Sequence, residues 1–342
     1  MGVKISELVN GKQVTVDELK GKTLAVDAFN MLYQFITTIR QPDGSPLTDS
    51  KGRTTSHLIG LFYRLTNLLK KDVRFVFVFD GESHELKQAE TRRRADIKQK
   101  AEEMYKEAKE VEDLEQMKKY ASRTARLSKE MIQESKDLIS AMGIPFIEAP
   151  SEGEAQCAKI VRDGNAYAVM SQDADSMLFG APRIIKNLSI SQRRKKHNSL
   201  GSEKTQPLMI ELKDVLEELQ IDQERLIIMG ILIGTDFNPG GIKGIGPKKA
   251  LRLVKEYEEP NKIFEELGWD DHFEHDWTDI LQIFKESHST GSYDISQKSF
   301  DKEKVVNILV REHDFSEERI GNICDELSAS TEKEQKALED FF

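Results

Sequence analysis

Cysteine is scarce in this chain of 342 residues: Cys157 and Cys324 are the only two. They stand far apart with no metal-ligand spacing, which excludes a disulfide framework and a Cys/His zinc site and suits a reducing compartment. Long apolar runs are missing too. The longest, residues 226–233, contains Gly230 and falls well short of the roughly 20 residues that span a bilayer. No succession of basic, apolar and small residues opens the chain, which argues against export. Met1-Gly2-Val3-Lys4-Ile5-Ser6 fits a myristoylation pattern, but no second anchoring signal follows it. A Walker loop, a Ser-His-Asp set and a cysteine nucleophile are likewise absent.

What is present is charge. At 38% hydrophobic and 32% charged, the chain reads as globular, with length for one large domain or two modest ones. A net charge of −10 argues at first against a polyanionic partner. The distribution argues the other way. Residues 183–196 carry six Lys or Arg and no acid, and residues 243–255 carry five and no acid. Lys87, Arg92, Arg93, Arg94, Lys98 and Lys100 form a third basic group. Three such patches beside many acids are an electrostatic footprint of nucleic-acid binding rather than merely solvated faces.

The acids follow a pattern. Three short hydrophobic runs each deliver an acid at their C-terminal end: Leu24-Ala25-Val26 before Asp27, residues 75–79 before Asp80, and Ala168-Val169-Met170 before Ser171-Gln172-Asp173-Ala174-Asp175. In an open parallel sheet these ends share one edge, where ligands bind, so the carboxylates should converge. Glu152, Glu154 and Asp236 complete the candidates. Each has a plainer reading. Asp27 can be an N-cap, Asp80-Gly81 a turn, and Ser151 with Glu154 a capping box. His57, in the first turn of a helix, reads as a surface or cap residue. So many acids at one edge would repel unless divalent cations neutralised them, and oxygen-only ligation selects Mg²⁺ or Mn²⁺ over zinc. Two such ions about 4 Å apart activate a water and stabilise both oxygens of a phosphodiester displacement.

Residues 82–126 change character. Charged residues and Gln dominate with no Gly or Pro, favouring helix without a wide apolar stripe. An exposed helical insertion with a function and a solvated helical hairpin are equally compatible with that pattern. Residues 197–206 read as a surface loop. Residues 242–250, Ile-Lys-Gly-Ile-Gly-Pro-Lys-Lys-Ala, form a hairpin between helices: Gly244 and Gly246 admit close approach to backbone amides, Pro247 opens a helix, and Lys248 and Lys249 stand beside it, a phosphate site. The chain finishes Gln335-Lys336-Ala337-Leu338-Glu339-Asp340-Phe341-Phe342, an apolar trio that is costly to expose without a partner.

These motifs, together with Thr54-Thr55-Ser56-His57-Leu58, Val78-Phe79-Asp80-Gly81, residues 149–156 and Gly234-Thr235-Asp236, closely resemble the archaeal and eukaryotic flap endonucleases of the structure-specific 5′-nuclease family, over essentially the whole chain. The resemblance implies an α/β fold with a central, mostly parallel sheet flanked by helices. It implies one 5′-nuclease domain over 1–327, with a helical arch at 82–126, a helix–two-turn–helix at 226–257, a helical part at 258–327, and a flexible clamp-binding tail at 328–342. Asp27, Asp80, Glu152, Glu154, Asp173, Asp175 and Asp236 then match the metal-site carboxylates, holding two Mg²⁺ with Mn²⁺ as a substitute. Lys87 and Arg94, seven apart and so on one helix face, match two basic catalytic residues of the arch, and Tyr33 an aromatic on which a base stacks. Gly244, Gly246, Lys248 and Lys249 match the duplex-binding hairpin, which takes a monovalent cation. Gln335, Leu338, Phe341 and Phe342 match the peptide that binds the sliding clamp (PCNA).

The resulting expectation is a monomeric, metal-dependent endonuclease that cuts 5′ flaps of branched DNA near the junction, in Okazaki-fragment processing and repair, with room for 5′–3′ exonuclease activity. It would work in the cytoplasm of a prokaryote or archaeon, or in a eukaryotic nucleus, without a membrane. A non-catalytic DNA-junction scaffold that recruits the clamp is the alternative. A haloacid-dehalogenase-type phosphatase would need D-x-D at the first strand, where this chain has Asp27-Ala28-Phe29.

Overall fold

The computed structural model describes residues 8, 10–111, 113–188, 193–195, 202–204, 206–286 and 289–339. Its strands are β1 (Lys12–Gln13), β2 (Thr23–Asp27), β3 (Arg74–Phe79), β4 (Phe146–Glu148), β5 (Ala168–Met170), β6 (Arg183–Lys186), β7 (Arg193–Lys195), β8 (Ser202–Lys204) and β9 (Leu208–Glu211). Seven of them form one sheet in the order β1-β9-β6-β5-β2-β3-β4. Strands β6, β5, β2, β3 and β4 run parallel, and β9 and β1 add an antiparallel edge. The expected mostly parallel sheet is thus observed, in mixed form.

The central strands are buried on both faces, as parallel strands between helical layers must be. Along β2 and β3, side chains alternate between two cores. Ala25, Val76 and Val78 face one, and Leu24, Val26, Phe75, Phe77 and Phe79 face the other. Packed on the first face are α6 (Gly153–Arg162), α8 (Gln223–Ile233), α9 (Pro247–Glu256), α10 (Pro260–Glu266) and α11 (Trp277–Lys285), with α7 (Leu212–Leu219) at the β9 end. The second face carries α1 (Ala28–Thr38), α2 (Ser56–Leu69), α5 (Lys129–Ala141), α12 (Lys302–Val306) and α13 (Glu317–Glu339). Burying each of the three β3 phenylalanines contributes about 1.5–3 kcal/mol. That is why short strands suffice to hold the acid-bearing edge.

The charged insertion folds as α3 (Gln88–Glu110) and α4 (Leu114–Ala121), packed against each other. Four readings change. Within the expected loop 197–206, Ser202–Lys204 is strand β8, paired antiparallel with β7. His57 is fully buried rather than a surface or cap residue, because Glu134 reaches its Nε2 at 3.0 Å and satisfies it inside the core. The Ser151/Glu154 capping box does not form, because α6 begins one residue later, with Glu152 at its N-cap position. Residues 328–339 continue α13, since no Gly or Pro stops a run rich in helix formers.

Candidate functional site

Asp27 closes β2, Asp80 follows β3, and Asp173 and Asp175 follow β5, so three adjacent parallel strands end beside one another. Asp27 and Asp80 keep the alternation of Ala25 and Val78, which directs them to the α6 side of the sheet. There α6 begins with Glu152 at its N-cap position and Glu154 in its first turn. The expected cap on this helix comes from another strand. Asp80 Oδ1 accepts from Gly153 N at 2.7 Å, leaving the Glu152 side chain for a different partner. A β-carbon on Gly153 would lie 2.6 Å from that oxygen, so only glycine permits the contact. Asp27 does fill its plainer role, accepting from Asn30 N at 3.0 Å, and the same carboxylate lies in the acid set.

All seven predicted acids form one connected electrostatic network. Asp27 feels Asp80 and Asp173; Glu154 feels Asp175, Asp27 and Asp173; Asp80 and Glu152 feel Asp236. Burial, and then the Asp80 charge, push Asp27 up to about 7. Burial followed by Asp175 and Asp27 raises Glu154 well above the usual carboxylate range. Asp80 and Glu152 are raised first by loss of hydration, which outweighs Gly153 N at Asp80 and Lys87 at Glu152. Protein alone therefore leaves these groups short of positive charge. Among the described residues no three His, Cys, Asp or Glu stand grouped closely enough to hold a metal ion, and Glu152 and Asp236 are turned onto side-chain cations. The donor set is nonetheless wholly carboxylate oxygen, the chemistry of a hard divalent cation.

Those cations are Lys87 and Arg94. Lys87 Nζ donates to Glu152 Oε2, lies 3.5 Å from Asp236 Oδ2 and sits over the Phe237 ring. Burial works against its ammonium, but Glu152 and Asp236 outweigh burial and raise it. Arg94 Nη2 donates to Asp236 Oδ1 at 2.6 Å. Its Nε donates to Glu90, which also takes Arg93 at 2.6 and 2.8 Å. Buried Glu90 thus aims Arg94 at the site. It was missed in the sequence, although its spacing of three and four to the two arginines is a visible helical ion-pair signal.

Comparison with known proteins places this geometry. The XPG N-terminal domain profile matches residues 1–101 and the XPG I-region profile residues 143–236. Flap endonuclease 1 of Thermofilum pendens is 46% identical over 346 residues, covering 100% of this chain and 99% of its own. That of Thermococcus onnurineus is 45% identical over 343 residues, with the same two coverages. The chain belongs to the flap endonuclease family. The solved flap endonuclease-1 from Methanococcus jannaschii, 40% identical, superposes with a TM-score of 0.77 over 97% of this chain and 100% of its own. By this kinship the chain is a nuclease, a hydrolase of DNA replication and repair.

In this flap endonuclease the second predicted interface lies one loop from Asp236. Helix α8 ends at Ile233, and Ile242 N returns to Leu232 O at 3.0 Å, closing the loop onto the helix. Gly244 has φ +83° and opens the hairpin, Ile245 is buried as its anchor, and Pro247 starts α9. Space beyond Gly244 and Gly246 is open, and Lys248 and Lys249 are exposed beside it. Tyr33, half-buried on α1, carries Lys98 Nζ 5.0 Å over its ring and is joined by no described bond to the carboxylates. Gln335 and Leu338 fall on α13, while Phe341 and Phe342 lie outside the described residues. Lys186, at the end of β6, feels Asp173 and Asp175; the sequence counted it only as one member of the 183–196 basic run.

Proposed function

We propose that this flap endonuclease cuts the 5′ flap of branched DNA near the single-strand/duplex junction with two Mg²⁺, held by Asp27, Asp80, Glu152, Glu154, Asp173, Asp175 and Asp236, and that Mn²⁺ substitutes. Bound there, the ions supply activation of water and charge neutralisation for phosphodiester hydrolysis. The observation that carries the reading is the joining of seven acids from five elements, β2, β3, α6, β5 and the loop after α8, into one network short of positive charge.

The protein's own residues do the rest. Lys87 and Arg94 project from the start of the helical hairpin, the arch in this reading, onto the acid edge. There they stabilise negative charge developing on the scissile phosphate. Tyr33 stacks a base near the cut. The hairpin at Gly244 and Gly246 takes duplex phosphates on backbone amides, with a monovalent cation and with Lys248 and Lys249 adding charge, and so fixes the distance from duplex to cut. Matched flap, nick and single-stranded substrates with and without Mg²⁺ test the reading: metal-dependent cutting of the flap near its junction is expected, and equal cutting of single strands would refute it. The tail, with Gln335 at the rim and Leu338, Phe341 and Phe342 as the plug, binds the sliding clamp. Phe341→Ala with Phe342→Ala should abolish clamp binding in calorimetry while clamp-free cleavage stays unchanged.

A further inference from the structure

Asn30, in the first turn of α1, makes three bonds that together span the acid edge. Its backbone N–H donates to Asp27 Oδ1 at 3.0 Å. Its side-chain Nδ2 donates to Asp173 Oδ2 at 2.8 Å, and its Oδ1 accepts from Gln172 N at 3.2 Å. The 171–173 turn therefore presents one acceptor and one donor, and a single primary amide meets both. Only one of the two amide orientations does so, since the reverse would face oxygen to carboxylate and NH₂ to N–H. Asp173 is held from within its turn as well, its N–H donating to Ser171 Oγ at 3.2 Å.

The placement follows from topology. β2 and β5 are parallel neighbours with Val26 paired to Met170, so the residues after each strand emerge side by side. Asn30 sits one helical turn past Asp27 and reaches across that seam to a carboxylate 143 residues away. We infer that Asn30 is the positioning residue that sets the orientation of Asp173, and through it the affinity of this edge for divalent cations. The inference rests on the proposed metal-site reading. A carboxylate whose plane is set before an ion arrives loses less freedom on binding, and partners that orient metal ligands typically change affinity by about 10–100-fold. No other side chain of this size supplies both bonds. Aspartate keeps the shape but sets a like charge against Asp173, and leucine keeps the bulk but supplies neither bond.

The test is Mn²⁺ binding to the full chain without DNA, followed by electron paramagnetic resonance, in wild type, Asn30→Leu, Asn30→Asp and Asp173→Ala, with thermal melts to show that each folds. Asn30→Leu and Asn30→Asp should weaken Mn²⁺ about tenfold or more. In flap cleavage, Asn30→Leu should shift the Mg²⁺ dependence to higher concentration and recover most of kcat at saturation. Asp173→Ala should lose the site and not recover. If Asp173→Ala binds Mn²⁺ as wild type does, the metal-site reading fails. If it loses Mn²⁺ while both Asn30 variants bind normally, that reading stands and the role of Asn30 is overturned. A loss of kcat in Asn30→Leu that saturating Mg²⁺ does not recover would also overturn it. If Asn30→Leu does not fold, Asn30→Asp carries the same two readouts.

Discussion

The acid edge and the helical hairpin above it are built on opposite principles. The edge hangs from strands buried on both faces, with bulky core residues from Leu24 to Phe79 on one side and α6 on the other. Among its described side chains, hairpin α3–α4 buries little apolar surface beyond Ala101, Ala108, Met117 and Ala121, and it exposes Ile97, Met104 and Val111. Local opening costs least where few apolar side chains are buried, so the hairpin is the cheaper element to move. The carboxylates are thus fixed by the scaffold, and the cations that answer them are carried on the lighter element. A site divided this way can keep its acids in register while Lys87 and Arg94 change partners from carboxylate to phosphate.

Removing an acid held by the sheet should therefore do more than removing a cation carried on the hairpin. Asp173→Ala is expected to abolish cleavage while flap-DNA binding persists, because the proposed function assigns phosphate contacts to the basic patches. Retention of a tenth of wild-type kcat, a loss of only about 1.4 kcal/mol in the barrier, would break the comparison. Lys87→Ala or Arg94→Ala should lower the single-turnover rate by about 10²–10³-fold, the scale found for removing one preorganised donor, with a much smaller change in affinity. A pure affinity loss would make them ordinary phosphate contacts.

Farther from the chemistry, Lys248→Ala with Lys249→Ala should weaken DNA binding and flatten its salt dependence by about 1.8 in log–log slope, at roughly 0.9 per phosphate contact, with the saturated rate kept. An unchanged slope would remove this hairpin from the interface.

The last effect is on stability rather than on activity. Asp27 moves from 3.8 to about 7 on folding, so between those values the folded, metal-free protein binds the extra proton. Its contribution therefore favours folding least above pH 7 and falls as pH rises from about 4 to 7. Denaturant melts across that range should show a steeper decline in wild type than in Asp27→Asn, with Mg²⁺ removing the difference. Parallel curves without metal would deny the burial.

Much of this was legible in the chain. Apolar runs ending in acids announce parallel strands whose ends share an edge, and Gly244-Ile245-Gly246-Pro247 announces a turn into a helix, because strand periodicity and glycine and proline geometry are local properties. The shared helix face expected for Lys87 and Arg94 was only half legible: Arg94 lies on α3, whereas Lys87 precedes it at the end of a 3₁₀ turn.

What only the tertiary structure decided is partnership. Ser151 and Glu154 spell a capping box, yet the helix takes Glu152 as its N-cap residue and receives Asp80 on the Gly153 amide. His57 looks like an exposed residue at a helix start, yet it is buried against Glu134 on α5. Asn30 has no motif at all, and its meaning comes from Gln172 and Asp173 across the β2–β5 seam. Periodicity tells a side chain which face it leaves from. Which distant group it meets there depends on strand order and on how closely two backbones approach, and both are set only when the whole sheet has closed.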